Sequence, residues 1–261
     1  MTTERPSISM VVPLLEEEAW VRRFLRSLVA DPPEELILVD GGSRDRTRSV
    51  AQRALPSTWT REGFDPELPG GPARPECPHV RWIDALPGIA SQLNCGAAEA
   101  RGEILFFPYV DSRLPEGWSR WVRASLAEPG AVGGAFRLRL DANTWWSRMI
   151  SSVANWRTGR GVGPLGDQAL FMKRTAFESI GGYSGDRLLE DLDLVTRLRS
   201  EGRVDVCEAE VVTSARRWHR RGVLRTMLTN WAYLARHYAS RRRPTSASSR
   251  RRYREYRTGH H

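Results

Sequence analysis

Four short apolar runs in this chain are each closed by acid. Ile8–Val12 leads into Glu16–Glu18, Leu36–Asp40 and Val80–Asp84 stop on their own aspartates, and Ile104–Asp111 ends on Asp111. Open parallel α/β sheets bind ligands at the carboxyl ends of their strands. If the runs are neighbouring strands, these carboxylates line one rim. An aspartate there accepts hydrogen bonds from a base or ribose, and one further along takes a divalent cation that holds phosphates. Two commoner nucleotide cradles are missing. The first run is followed by Pro13-Leu14-Leu15-Glu16-Glu17-Glu18 where a dinucleotide fold has GxGxxG. There is no GxxxxGK(S/T), and the one lysine, Lys173, is in the wrong context for it. Nicotinamide or flavin dehydrogenases and P-loop hydrolases are therefore excluded, leaving a nucleotide site built on carboxylates and backbone groups with a divalent cation. Acids also close strands that bind nothing, so the rim alone specifies no reaction.

The elements that must position these acids are legible in the spacing. Apolar runs alternating with helical patterns predict βαβ units and a parallel sheet. Glu17–Val29 places Trp20, Phe24 and Leu28 on one helical face. Gly88–Arg101 is Ala-rich and helical, and Ser43 with Asp45 predicts a capped helix start after the second strand. Pro56–Pro78, rich in proline and glycine and without periodicity, predicts a surface loop inserted before the third strand. Beyond Asp111, strands are expected at Gly133–Leu140, Gln168–Arg174 and Val204–Val212, with helices at Trp145–Trp156 and Glu190–Glu201. Gly222–Ser240 predicts an amphipathic helix and Arg241–His261 a disordered basic tail. One domain over residues 1–240 and a tail over 241–261 follow.

Composition narrows the class further. At 261 residues, 40% hydrophobic and 27% charged, the chain has the balance of a soluble globular protein. No stretch approaches the ~18 apolar residues of a spanning helix, and no leader with a basic start, apolar core and small-residue cleavage site is visible, so a cytoplasmic protein is expected. Cys77, Cys95 and Cys207 are dispersed and without a CxxC, which reads as packing rather than disulfide or zinc. The net charge of +9 is concentrated at the end. From Val211 onward there are fourteen arginines against one acid, Glu255, so the preceding body is mildly acidic. Such an end is attracted to anionic lipid. The helix expected at Gly222–Ser240, with Trp231 among its apolar residues, fits peripheral contact with the inner face of a membrane or packing on the body.

The order of motifs resembles a family 2 glycosyltransferase of the GT-A fold. The resemblance rests on Ile8-Ser-Met-Val-Val-Pro-Leu-Leu-Glu-Glu-Glu, Leu38-Val-Asp-Gly-Gly-Ser-Arg-Asp-Arg-Thr, Gln92-Leu-Asn-Cys-Gly-Ala, Asp111-Ser-Arg-Leu-Pro and Leu189-Glu-Asp-Leu-Asp-Leu. Gly166-Asp-Gln-Ala-Leu-Phe-Met-Lys-Arg and Thr213-Ser-Ala-Arg-Arg-Trp match a small bacterial branch, and the whole runs from about Ile8 to Tyr238. The resemblance implies a Rossmann-like, mostly parallel central sheet flanked by helices. It implies an inverting transfer of sugar from a UDP- or GDP-sugar to a small-molecule or lipid acceptor. Pro13, Glu17, Asp40, Asp45 and Asn94 would bind the nucleotide, and Asp111 would hold Mg²⁺ or Mn²⁺ at the diphosphate. Asp191, beside Glu190, would be the general base that deprotonates the acceptor. Asp167, Gln168, Arg217 and Trp218 would contact the acceptor or the diphosphate, and no nucleic-acid partner is expected.

Three positions depart from the family pattern. Glu16 stands for an Asn, Tyr109 for the first Asp of a DxD pair, and Ile89 for the Arg that commonly follows Gly88. They motivate an alternative, a nucleotide-sugar-binding protein without catalysis. The Arg-rich end motivates another, a nucleic-acid-associated protein, although few aromatics are interleaved with its arginines.

Overall fold

Strands covered by helices on both faces read as unbroken apolar runs. β1 (Ile8–Leu14) and β2 (Glu35–Asp40) are buried at every position. The structure, a computed structural model, describes residues 5–64, 78–159, 163–184 and 190–216. The amphipathic helix and tail expected beyond Gly222, Arg217, Trp218, Cys77 and most of the proline-rich insertion lie outside the described residues.

In chain order, β1 is followed by α1 (Glu18–Ser27), β2, α2 (Thr47–Ala54), β3 (Thr60–Glu62), β4 (His79–Asp84), α3 (Ile89–Glu99), β5 (Ile104–Phe107) and β6 (Ser112–Arg113). Then come α4 (Trp118–Ala127), β7 (Ala131–Leu140), α5 (Trp145–Gly159), a 3₁₀ turn at Gly166–Gln168, β8 (Leu170–Lys173), α6 (Arg174–Ile180), α7 (Glu190–Leu198) and β9 (Arg203–Thr213). One mixed sheet has the order β3-β4-β2-β1-β5-β8-β7-β9-β6. The pairs from β3 to β5 are parallel, as is β7 with β9; β8 runs antiparallel to both its neighbours, and β6 runs antiparallel to β9. The expected mostly parallel sheet is present.

Strand alternation divides the core. Met10, Val12, Leu36 and Leu38 meet Phe24, Leu25, Ala51 and Val122 on the face covered by α1, α2 and α4. Val11, Ile37 and Val39 meet Leu93, Phe177 and Leu194 on the face covered by α3, α6 and α7. Gly96 makes the second layer close, because a Cβ there would lie 2.4 Å from Val11 Cγ1.

Several expected boundaries shift for identifiable reasons. The run Ile104–Asp111 is a strand only to Phe107, since Pro108 has no N–H to continue a ladder. Asp111 therefore sits in a loop just before β6. The insertion is not a loop from its start: Trp59 is buried in the core and Thr60–Glu62 adds an edge strand parallel to β4. The helix after β2 starts at Thr47 with Arg46 at its cap, not at Ser43. Gln168 belongs to the 3₁₀ turn, and β8 begins at Leu170. Two helices were not anticipated. α4 buries Trp118, Val122 and Leu126 at fourfold spacing after Gly117 at φ 63°. α6 closes on Gly181 at φ 79°, whose N–H reaches the Glu178 carbonyl. Cys95 and Cys207 are buried free thiols, as expected of packing residues; burial pushes Cys207 up to about 11.

Candidate functional site

The loops leaving β1 and β2 are bound to each other by short polar side chains. Glu16, in a left-handed conformation at φ 56°, donates its N–H to Ser43 Oγ at 3.0 Å and accepts the Arg44 N–H at 2.7 Å. The Glu17 N–H donates to Thr47 Oγ1 at 2.9 Å, and the Glu18 N–H to Asp45 Oδ2 at 3.1 Å. Asp40, buried at the end of β2, accepts the Ser43 N–H at 3.1 and 3.2 Å and the Ser43 hydroxyl at 2.5 Å. Asp45 accepts the Thr47 N–H at 2.9 Å and the Thr47 hydroxyl at 2.5 Å. Burial pushes the Asp45 carboxyl up, but the bonds from Thr47 and the Glu18 N–H prevail and hold it below its ordinary range. Asp45 is thus a clamp between the loops. Pro13 is buried in β1 opposite Val39, and Asp84, exposed next to Asp40 in register, pairs with Arg48 at 3.5 Å.

Across this opening stands a cation that sequence reasoning missed. Arg216, just past β9, places Nη1 and Nη2 at 2.7 and 2.6 Å from the Glu17 carboxylate and Nε at 2.9 Å from Asp111 Oδ2. Its guanidinium lies 5.2 Å from the centre of the Trp20 ring. Burial pushes the Asp111 carboxyl up and the Glu17 charge adds to this, against the pull of Arg216. Asp111 is therefore a largely buried hard oxygen donor that needs a cation beside it. That chemistry fits Mg²⁺ or Mn²⁺ held by one carboxylate and substrate phosphates. Among the described residues no group of three or more His, Cys, Asp or Glu forms a complete metal cage.

The far wall of the rim is built by α7 and the 3₁₀ turn. Asp191 Oδ2 accepts the Gly166 N–H at 2.7 Å, and Oδ1 accepts the Leu192 N–H at 2.8 Å. Tyr109 packs on the same turn, so closely that a Cβ on Gly166 would lie 2.6 Å from its hydroxyl. Burial, then the charges of Asp191, Glu190 and Asp167, push the Tyr109 phenol well above its ordinary value, and it stays protonated. This wall is fastened to the Asp111 loop. Thr213 Oγ1 donates to the Asp167 carbonyl at 2.9 Å and lies 3.3 Å from Ser112 Oγ, while the Ser214 N–H reaches the Asp111 carbonyl at 3.3 Å. Glu17, Asp111 and Asp191 therefore belong to one connected rim.

Two expected site residues belong to the scaffold instead. Asn94 is buried with both ends of its carboxamide bonded to the Tyr183 backbone at 2.8 Å, so it joins α3 to the segment before α7 rather than meeting a nucleotide. Gln168 is fully buried; its amide donates to the Phe136 carbonyl at 3.0 Å and its oxygen accepts from Leu165 N–H and Thr158 Oγ1, so it does not reach an acceptor or diphosphate. Gln92 is the same kind of fastener, donating at 2.8 Å to the Leu14 and Val39 carbonyls where β1 and β2 end. In a motif, such residues look like ligand contacts because they are polar; only their surroundings reveal the bonding partner. Arg216 carried a weak signal, as one of two adjacent arginines, and spacing could not select it.

Residues 9–181 match the family model described as Glycosyl transferase family 2. The chain is 24% identical over 245 residues to the beta-monoglucosyldiacylglycerol synthase of Synechocystis sp., covering 84% of this chain and 47% of that protein. The chain spans about half the length of the curated relatives it matches. Among solved structures, it is similar to the mannosyltransferase from Pyrobaculum calidifontis in complex with GDP-Man and Mn²⁺, with a TM-score of 0.59, 18% identity, and 97% of this chain and 70% of that one covered. It is also similar to glucosyl-3-phosphoglycerate synthase from Mycobacterium tuberculosis in complex with Mn²⁺, UDP and glucosyl-3-phosphoglycerate, with a TM-score of 0.53, 19% identity and coverage of 80% and 72%.

Proposed function

The chain belongs to glycosyl transferase family 2, and from that premise we propose that it moves a sugar from a UDP- or GDP-sugar to a small-molecule or lipid acceptor with inversion at the anomeric carbon. The observation that carries this reading is the carboxylate of Asp191, held by the Gly166 N–H on the same rim as Asp111 and Glu17. The loops after β1 and β2, with Pro13, Glu17 and Asp40, form the wall for the base and ribose. Asp111 would hold Mg²⁺ or Mn²⁺ with the diphosphate oxygens, and the cation would supply charge neutralisation to the leaving group.

Asp191 takes the acceptor hydroxyl proton as the new bond forms. An alcohol is a weak nucleophile until that proton is removed, and a positioned base contributes about 10²- to 10⁴-fold. The Gly166 N–H fixes the direction of the carboxylate, so it meets the acceptor without rearranging. Burial, then the charge of Asp191, keeps the protons on Tyr109 and Tyr183, and Glu190, at the start of α7, adds to this. Arg217 and Trp218 follow Arg216 directly and are assigned to the diphosphate and acceptor by the family pattern. The mannosyl- and glucosyltransferases of similar fold contain GDP-Man or UDP, which supports both donor classes. The diacylglycerol-glucosylating relative supports a lipid acceptor. No helix among the described residues is long and apolar enough to cross a membrane.

Asp191→Asn tests the assignment, because an amide oxygen still accepts the Gly166 N–H while losing basicity. Expected is a fall in kcat of about 10²- to 10⁴-fold with nucleoside diphosphate binding retained; transfer at the parental rate overturns the base role. Tyr109 in place of an acid favours the second reading, a binding protein without transfer. Tight nucleotide-sugar binding with no sugar release to any acceptor would support it.

A further inference from the structure

We propose that Arg216 is the resident counter-cation of the donor site: it bridges Glu17 and Asp111 in the donor-free protein and yields Asp111 to the metal only when a nucleoside diphosphate arrives with it. The proposal rests on the metal and donor reading above and goes beyond it by naming what occupies the rim beforehand.

Glu17 and Asp111 are drawn to one guanidinium, with Glu17 held bidentately at 2.6 and 2.7 Å and Asp111 at 2.9 Å. The two acids are 14% and 12% exposed, against 33% for the arginine, so the arginine is the most open to solvent of the three. A like-charged pair in that position repels unless a cation separates it. The planar fork satisfies both acids at once and stacks on Trp20, which a lysine ammonium would not reproduce. Tyr109 has removed the other acid of the DxD pattern, so a bare divalent ion meets one carboxylate that is already paired.

A metal alone must therefore break the Asp111 contact and leave the guanidinium without that partner. A metal with a diphosphate brings its own oxygens, which complete the metal's coordination and give the freed guanidinium an anion. Arg216 is thus a donor-binding and positioning residue. Metal affinity and nucleotide affinity are coupled through it, and by linkage the coupling is equal in both directions.

The test is Mn²⁺ binding to the full chain, read by the electron paramagnetic resonance of free Mn²⁺, with and without UDP or GDP, for the parent, Arg216→Gln and Arg216→Lys. Expected is weak binding of Mn²⁺ alone to the parent and strong enhancement by one of the diphosphates. Arg216→Gln should bind Mn²⁺ alone on the order of tenfold more tightly, with the enhancement reduced correspondingly. Arg216→Lys, which keeps the charge and guards against a folding defect in the first variant, should fall between them. Equal affinity of parent and both variants for Mn²⁺ alone overturns the counter-cation role while leaving the metal reading intact. Absence of Mn²⁺ binding in all three proteins with either diphosphate overturns the metal reading itself, and this proposal with it.

Discussion

Tyr109 stands where the family pattern places an acid, and its surroundings explain why an acid would not serve. The phenol is packed against Gly166 and lies within the influence of Asp191, Glu190 and Asp167. A carboxylate there would be the fourth in one partly buried cluster, and like charges in such a site disfavour ionisation. Tyr109→Asp therefore does not restore a two-acid metal site. It is expected to lower stability by about 1–3 kcal/mol at neutral pH, measured by urea denaturation. The loss should shrink as pH falls through the carboxylate range, because repulsion disappears with protonation. A variant as stable as the parent at neutral pH, with tighter Mn²⁺ binding, would show that the cluster tolerates the extra charge.

Among the elements, α7 carries the division between chemistry and scaffold most plainly. Asp191 lies toward the rim. Asp193, two residues on, is buried in a network with Arg197 at 2.9–3.0 Å and Ser184 at 2.6 Å, while Arg197 also donates to the Ile180 and Gly182 carbonyls at 2.7 and 2.8 Å. The network locks the helix to the end of α6, and so sets where Asp191 points. Removing one partner of a buried pair strands the other charge, at a cost of about 3–5 kcal/mol. Asp193→Ala should lose that much by chemical denaturation, whereas Asp191→Asn, which keeps one oxygen acceptor and loses the other, should cost only about 1 kcal/mol. If the two substitutions destabilise equally, the separation of roles along this helix is wrong.

At the scale of the whole molecule, the rim unites residues far apart in the chain; Glu17 and Arg216 are 199 residues from each other. A ligand bound between segments so far apart in the chain would stabilise the fold as a unit. A nucleoside diphosphate at about a hundred times its Kd should add about 2.7 kcal/mol, a rise in melting temperature of roughly 5–10 °C. The rise should be larger with Mn²⁺ present, and none with any nucleotide sugar would overturn the donor reading. Much of this was determined by the sequence alone. Apolar runs of strand length, each closed by acid and separated by helical spacing, specify buried parallel strands, because only those runs bury both strand faces; they also place Asp40 and Asp111 at one end. The family pattern located Asp191 at a helix start. What only the tertiary structure decided is bonding partners. Asn94, Gln168 and Asp193 are polar residues of recognisable motifs, yet their hydrogen-bonding groups are matched by backbone or side chains brought from elsewhere in the chain. Arg216 shows the converse: local spacing cannot reveal which of two adjacent arginines faces Glu17 and Asp111, because that depends on how β9 is seated against the loops after β1 and β5.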